Sequence, residues 1–378
     1  MQPLKGIKVL DFSTLLPGPM ATLLLAEAGA EVLKIERPGS GDDMRGYTPK
    51  FGHDSVNFSL LNRGKKSIAI DLKSASERAR LEALLREADV LVEQFRPGVM
   101  QRLGLDYDTV ARMNPRIIYC SITGYGQTGP MAGVAAHDLN YLAESGMLGL
   151  SRGADGAPVL PPALIADIGG GAYPAVMNIL LALQNRTQTG LGCHLDVAMA
   201  DNLFAFMYWG LGSGWATGQW PAPGAELVTG GTPRYQIYRT SDDRYLAAAP
   251  LEDKFWNTFI ELIGLRHEML STDNAEIIRQ VASIIVQHPA SHWRDRFKDR
   301  DVCCVVVADL EEAVNNPHFI ERGLFRDMLQ DENGRTIPAL PIPICAALRS
   351  SAPAAAPALG DANDMLPKGQ SQEPSAVR

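Results

Sequence analysis

The sequence has no CxxC pair and no Cys/His spacing of the kind that holds a metal. Its five cysteines, Cys120, Cys193, Cys303, Cys304 and Cys345, are scattered, and Cys303 and Cys304 sit in the apolar run CCVVVA as buried strand thiols. This excludes a disulfide framework and a cysteine-ligated metal, and implies a reduced, cytoplasmic protein with no metal site. Positive charge is not in excess: a net charge of −8 argues against a nucleic-acid surface as the main business. The opening stretch MQPLKGIKVLDFS enters a strand-like run without secretory-signal architecture. The longest apolar runs are short and broken by glycine, so no membrane span is expected. The turn after the first strand, STLLPGPMA, lacks G-x-G-x-x-G and holds two prolines. A nicotinamide-binding turn is therefore missing, although Glu36 ends the second strand where an acid would hold a ribose.

What is present is a 46% apolar, 21% charged chain, an ordinary globular balance, and its length favours two domains. Short apolar runs at 7–12, 31–36, 67–72, 89–94 and 116–122 alternate with helical stretches such as PMATLLLAEAGA. Near-continuous apolar strands separated by helices imply a parallel sheet with right-handed crossovers, whose ligands bind at the carboxyl ends of the strands. The stretch GAYPAVMNILLAL reads as a buried helix, 235–249 as a hairpin turning at TSDD, and 252–263 and 275–287 as helices of a separate α+β unit. The division expected is 1–224 for the large α/β domain, 225–330 for the small one, and 331–378 for a segment returning to the large domain with a loose end.

Three places carry candidate chemistry. Arg37 and Arg96 follow strands two and four, and Lys65 and Lys66 precede strand three. Guanidinium forks and ammonium groups suit phosphate oxygens, but a solvated basic rim gives the same pattern. In LIADIGGGAYP, Asp167 lies ahead of Gly169, Gly170 and Gly171. The acid either caps a helix or is a partly desolvated carboxyl with a raised pKa, beside glycines that let a ligand approach the backbone. In AAHDLNYLAESG, His137 and Asp138 either start a helix or place a proton-transfer group at a cleft.

The segments LKGIKVLDFSTLLPGP, AEVLKIERPGSGD, NRGKKSIAIDLK, ADVLVEQFRPGVMQRLGL and SITGYGQTGP, in this order, resemble the class III CoA-transferase family. The resemblance implies a Rossmann-like large domain plus a small α+β domain, two chains interlocked as a homodimer, and an acyl-CoA thioester as substrate. The basic strand-end residues Arg37, Lys65, Lys66 and Arg96 then become candidates for the phosphates of CoA, as do Gly169 and Gly170 for close approach of the ligand. Transferases of this family use an aspartate nucleophile, and racemases resembling α-methylacyl-CoA racemase use a His/Asp pair. Asp167 matches the acid of both branches. AHDLNYLAESG matches the racemase stretch G-H-D-x-N-Y, with His137 on the catalytic histidine. GGTPRYQIYRTSDDRYLAAAPLEDKFW resembles another racemase segment and puts Glu252 on the glutamate that orients that histidine. Ala136 for glycine, DD for Asp-Gly, APLED for a glycine-containing turn and ALGDANDML near the C-terminus depart from the pattern.

The implied reaction is inversion of the α-carbon of a 2-methyl-branched acyl-CoA. His137 and Asp167 serve opposite faces, Glu252 orients His137, and backbone N–H groups at Gly169 to Gly171 hold the enolate oxygen. No metal or redox cofactor enters this scheme, because CoA is part of the substrate. The alternative is transfer of CoA between carboxylic acids through an Asp167 anhydride and thioester.

Overall fold

A computed structural model describes residues 1–153, 155–266, 271–349 and 354–367. The chain forms two compact units, the first comprising Met1–Ser145, Pro162–Phe206 and Ile320–Arg378, the second Gly146–Pro161 and Met207–Phe319. The chain thus leaves the first unit and returns twice. The contiguous division at 224/225 and 330/331 places 146–161 and 207–224 in the large domain and 320–330 in the small one, opposite to their grouping here.

The first unit is built on six parallel strands: β1 (Lys8–Asp11), β2 (Glu31–Glu36), β3 (Lys66–Ala69), β4 (Val90–Glu93), β5 (Ile118–Thr123) and β6 (Cys193–Ala198). Their spatial order is 3-2-1-4-5-6, with Leu10 beside Leu33 on one side and Leu91 on the other. This is the doubly wound order, in which the chain reverses direction between β1 and β4 and leaves a crevice at their carboxyl ends. All six residues of β5 are buried, as a central parallel strand covered on both faces requires. One face packs Leu10, Ile35, Ile68, Leu91 and Tyr119 against Leu81 and Leu85 of α2 (Ala75–Glu87). Ser74 caps that helix through its side chain. Before it, α1 (Pro17–Glu27) starts on proline and is buried from Pro17 to Leu25.

The edge of β3 is covered by residues 354–367. Ser67 N–H donates to Asp361 (2.8 Å), Ala69 N–H to Asn363 (2.8 Å), and Ala362 N–H to the Ser67 carbonyl (2.9 Å). The expectation of a loose chain end falls on residues outside those described.

The second unit has an antiparallel sheet of β7 (Gln236–Arg239), β8 (Tyr245–Ala248) and β9 (Cys304–Val306), with β8 in the centre. The β7–β8 hairpin is the one expected over 235–249. Asp243 takes φ 59° in its turn, the left-handed region that the Asp-Gly of the family pattern would occupy at no steric cost. Trp256, Phe259 and Ile260 of an amphipathic helix, Asp253–Ile263, close the core over Tyr238, Leu246 and Trp293.

One helical stretch departs from the expectation of no membrane-length run. Ala166–Thr189 spans 24 residues and is long and apolar enough to cross a membrane by length and composition. The core helix of a soluble protein meets the same test, so it carries little weight alone.

Below the crevice lies a buried charge cluster. Lys34 Nζ reaches Asp42 (3.0 Å) and the Ser13 carbonyl (2.8 Å), while Lys65 Nζ reaches Asp11 (3.1 Å), Thr22 Oγ1 (2.7 Å), Asn62 (2.8 Å) and the Pro19 carbonyl (3.0 Å). Burial alone would push the Asp11 carboxyl up. Lys65 and Lys34, with the Ser13 and Thr22 hydroxyls, override it and hold the acid well below its ordinary range. Each charge is tolerated because it is both paired and hydrogen-bonded. Lys65→Ala leaves the Asp11 carboxylate short of its counter-charge and should cost about 3–5 kcal/mol in urea unfolding of the ligand-free protein. A cost under about 1 kcal/mol, with binding of acyl-CoA lost instead, would return Lys65 to the ligand site.

Candidate active site

The crevice at the β1/β4 switch point holds a cavity of about 350 Å³. Its walls come from Leu15 and Pro17 after β1, residues 94–97 after β4, the end of β5 at Ile122–Gly124, and the loop 132–137 that leads into α3 (Asp138–Glu144). Leu15 sits at φ 63°, a conformation costly for a leucine, and is held there by two 3.2 Å contacts from its N–H to the Asp42 carboxylate. Gln94 accepts from Gly18 N–H (2.9 Å) and ties the two strand ends together. A larger cavity, about 580 Å³, lies between the Arg45 loop and residues 355–359. Its Arg45 is buried in ion pairs with Glu36 and Asp54, whereas the switch-point cavity brings together His137 and Asp167.

His137 and Asp167 both line that cavity. His137 is the cap residue of α3, with extended backbone, and its N–H donates to Asn140 Oδ1 (3.0 Å). Tyr141 OH donates to the Ala136 carbonyl (2.9 Å) and fixes the approach to the histidine. His137 is exposed and lines the cavity.

Asp167 is half-buried in the first turn of the next helix, which starts at Ile165, runs through a π-helical stretch over Ala166–Ala172 and continues as α4 (Tyr173–Thr189). That helix is capped not by Asp167 but by Asp138, whose buried carboxylate accepts from Asp167 N–H at 2.9 Å. Asp138 is the acid read from sequence as a helix-start residue; it starts two helices at once. Its pairing with a second helix is a tertiary fact that no local pattern signals. Burial, then the Asp138 charge, raises the Asp167 carboxyl to about 6, and His137 opposes them.

The glycine triplet does not act as expected. Gly169 to Gly171 lie inside the π-helical stretch, where N–H groups serve the helix ladder instead of facing a ligand. Their missing side chains serve packing. A Cβ on Gly170 would fall 2.4 Å from the Met199 carbonyl oxygen, and one on Gly169 would fall 2.8 Å from the Phe206 ring. The expectation that Gly169 and Gly170 cradle the ligand is therefore corrected.

The basic set separates. Arg96 is exposed, lines the cavity and has no ion pair among the described residues. Arg37 pairs with Asp43 and donates to the Gly41 carbonyl (2.9 Å). Lys66 pairs with Glu31 on the surface (2.7 Å), and Lys65 is sealed in the charge cluster. Lys65 cannot reach a ligand from there, and Arg37 and Lys66 are engaged by neighbouring acids away from the cavity. Glu252 belongs to the second unit, exposed, as the cap residue of the helix Asp253–Ile263; its backbone carbonyl accepts from Trp256 N–H (3.0 Å). Among the described residues no cluster of three or more His, Cys, Asp or Glu could hold a metal ion.

Because its folded pKa is raised from 3.8, Asp167 contributes stability that is complete below about pH 4 and is lost as pH climbs through 6. Asp167→Asn cannot ionise and should escape that loss. Its stability advantage over the parent in urea titrations should grow from near zero at pH 4 to a plateau of about 1–3 kcal/mol above pH 7. A difference independent of pH would mean that the carboxyl titrates normally.

Known proteins are similar to this chain over most of its length. The model of CoA-transferase family III matches residues 4–363. Alpha-methylacyl-CoA racemase of Homo sapiens is 35% identical over 350 residues, covering 89% of this chain and 86% of that protein. Acetyl-CoA:oxalate CoA-transferase of Acetobacter aceti is 34% identical over 354 residues, covering 90% and 89%. The crystal structure of a CAIB/BAIF family protein from Brucella suis superposes with a TM-score of 0.80 at 27% identity, over 96% of this chain and 98% of that one.

Proposed function

Since the chain belongs to CoA-transferase family III, whose relatives include both racemases and transferases, we propose that it is a racemase acting on 2-methyl-branched acyl-CoA thioesters. The observation that carries this reading is that His137 and Asp167 line the same cavity. Transfer of CoA through an anhydride needs one carboxylate nucleophile. Inversion at carbon needs an acid or base on each face, and the cavity offers two different ones.

A thioester acidifies its α-C–H because the resulting carbanion delocalises onto the carbonyl oxygen. His137 takes the α-proton from one enantiomer, the C–H electron pair moves into the Cα–C bond, and protonated Asp167 delivers a proton to the opposite face. The reverse direction exchanges the roles. A carboxyl raised to about 6 is present in both protonation states near neutrality, which suits a group that must give and take. Arg96 at the rim is placed to take a phosphate of the CoA moiety. The family pattern gives Glu252 the part of orienting His137. Only side chains and the CoA thioester take part in this cycle.

Incubation with a 2-methylacyl-CoA in D₂O should place deuterium at Cα without any acyl acceptor. His137→Gln and Asp167→Asn should both lose interconversion of enantiomers, by about 10²–10⁴-fold for loss of a general base. Each should keep slow exchange with one enantiomer, opposite in the two variants. Movement of CoA to oxalate or another free carboxylate with no deuterium at Cα would make the transferase reading the right one.

We further propose that a second copy of the chain covers α4. It presents Met177, Leu180 and Leu181, 57%, 43% and 61% exposed, and Phe204 and Phe206 of the same unit are exposed as well. A patch of this kind on an isolated chain is a liability in water. Analytical ultracentrifugation should show a dimer down to submicromolar concentration; a folded, active monomer there would reject the proposal.

A further inference from the structure

The buried acids around the carboxyl ends of the strands are not all held alike. Asp11, Glu36 and Asp42 each face a lysine or an arginine. Glu93, which ends β4 and is 3% exposed, has no ion pair among the described residues. It lines a cavity of about 320 Å³ that shares Pro97 with the switch-point cavity and has no described lysine or arginine in its wall. Two other groups hold its carboxyl. Phe95 N–H donates to Oε2 at 2.8 Å, and the Ser121 hydroxyl bonds to it from β5. Ser121 Oγ is in turn 3.0 Å from Nε2 of His194, an exposed residue of β6 whose ring stacks on Tyr107. The other titratable groups around Glu93 are Tyr119 and Cys120 on β5, Asp196 on β6, and Asp106 and Asp108 at the start of the helix Tyr107–Met113. Of all these groups only His194 can become a cation. A carboxylate buried without a counter-charge is costly to keep ionised. What this one holds is the turn beside the reactive groups. Phe95 lies between Gln94, which accepts from Gly18 N–H, and Arg96, and all three line the switch-point cavity.

We propose that Glu93 is a positioning residue: through Phe95 N–H its carboxylate holds the turn that carries Gln94 and Arg96, and Ser121 and His194 form its proton path to solvent. Ionised Glu93 accepts from the Ser121 hydroxyl, whose oxygen accepts from His194 Nε2–H. A proton taken up at Nδ1 of His194 releases the Nε2 proton to Ser121, which passes its own to Glu93. The carboxyl O–H then donates to Ser121 Oγ, and the hydroxyl donates to Nε2. No donor of the three is left without an acceptor in either state. Burial pushes the Glu93 carboxyl up to about 7 against the pull of Ser121 and Phe95 N–H, and the Asp196 charge adds to the rise. Both states are therefore populated near neutrality. With the charge gone, the bond from Phe95 weakens and the turn is held less firmly.

The consequence for ligand binding rests on reading the switch-point cavity as an acyl-CoA site; the hold on Phe95 does not, and two measurements keep them apart. Gln94–Phe95 is the one Gln-Phe pair in the sequence. Labelling glutamine carbonyls with ¹³C and phenylalanine with ¹⁵N therefore isolates the Phe95 amide by NMR in the ligand-free parent, with no variant needed. Its proton signal should move upfield as pH falls, with a midpoint near 7. Ser121→Ala removes a hydrogen bond to the charged form and should raise that midpoint. At about pH 8, Glu93→Gln should bind isobutyryl-CoA about 5–10-fold more weakly than the parent, the size of turning a charge-assisted hydrogen bond into a neutral one. At about pH 5.5, where the parent's Glu93 is itself protonated, the two should bind within about twofold of each other. The ratio cancels the titration of Asp167 and of the CoA phosphates, which both proteins share. A Phe95 signal that does not titrate, an unmoved midpoint in Ser121→Ala, or a binding ratio independent of pH overturns the proposal. If the parent binds no isobutyryl-CoA, the acyl-CoA reading fails, and the Phe95 titration alone decides whether Glu93 holds the turn.

Discussion

The site depends on a set of buried charges that never meet a substrate. Asp11, Lys34, Asp42 and Lys65 are fully enclosed beneath the β1–α1 turn, and their hydrogen bonds go to the backbone that lines the crevice. Lys34 holds the Ser13 carbonyl, Asp42 holds Leu15 N–H, and Lys65 holds the Pro19 carbonyl. Dinucleotide-binding folds shape the same turn with glycines and leave it open for a pyrophosphate. Here prolines and a leucine with positive φ build it, and ionic ties keep it from relaxing. One topology thus yields a crevice wall of different shape because the turn is held from below instead of from the ligand side.

The division of labour among the acids follows from what each one neighbours. Asp138 is the more buried of the pair next to His137, and backbone N–H groups at a helix start engage its carboxylate. Asp167 gains no comparable donors, and the charge of Asp138 stands close by. Two neighbouring aspartates are set differently: one fixes a helix and its direction, the other has its carboxyl raised to about 6. Environment and not residue type makes that difference.

Much of the fold was legible because central parallel strands are apolar on both faces. The runs at 31–36, 89–94 and 116–122 contain β2, β4 and most of β5, and the TSDD hairpin stands where its turn chemistry put it. His137 and Asp167, which line one cavity, stand out in the sequence beside an adjacent aspartate and in Asp-Ile-Gly-Gly-Gly. The basic residues were not separable: Lys65 and Lys66 are adjacent in sequence, yet the first is buried just before β3 and the second is exposed on it, and which ammonium meets an acid depends on contacts 35 to 54 residues away. The glycine triplet reads equally as an open loop and as a helix surface packed against Met199. The unit boundaries escaped because a sequence is read in order, whereas the chain crosses between units more than once.

The covering of β3 by residues 354–367 gives the order of synthesis a physical meaning. The bond from Ser67 to Asp361 spans 294 residues. At roughly 5–20 residues per second that separation is about 15–60 s of translation. For that interval the outermost strand of the large sheet has its backbone donors uncovered, with the charge of Lys66 as its main protection against pairing with another nascent chain. The residues that cover this strand are thus synthesised long after the strand itself. Termination shortly before residue 354 would therefore release a chain whose β3 edge is a live template for aggregation.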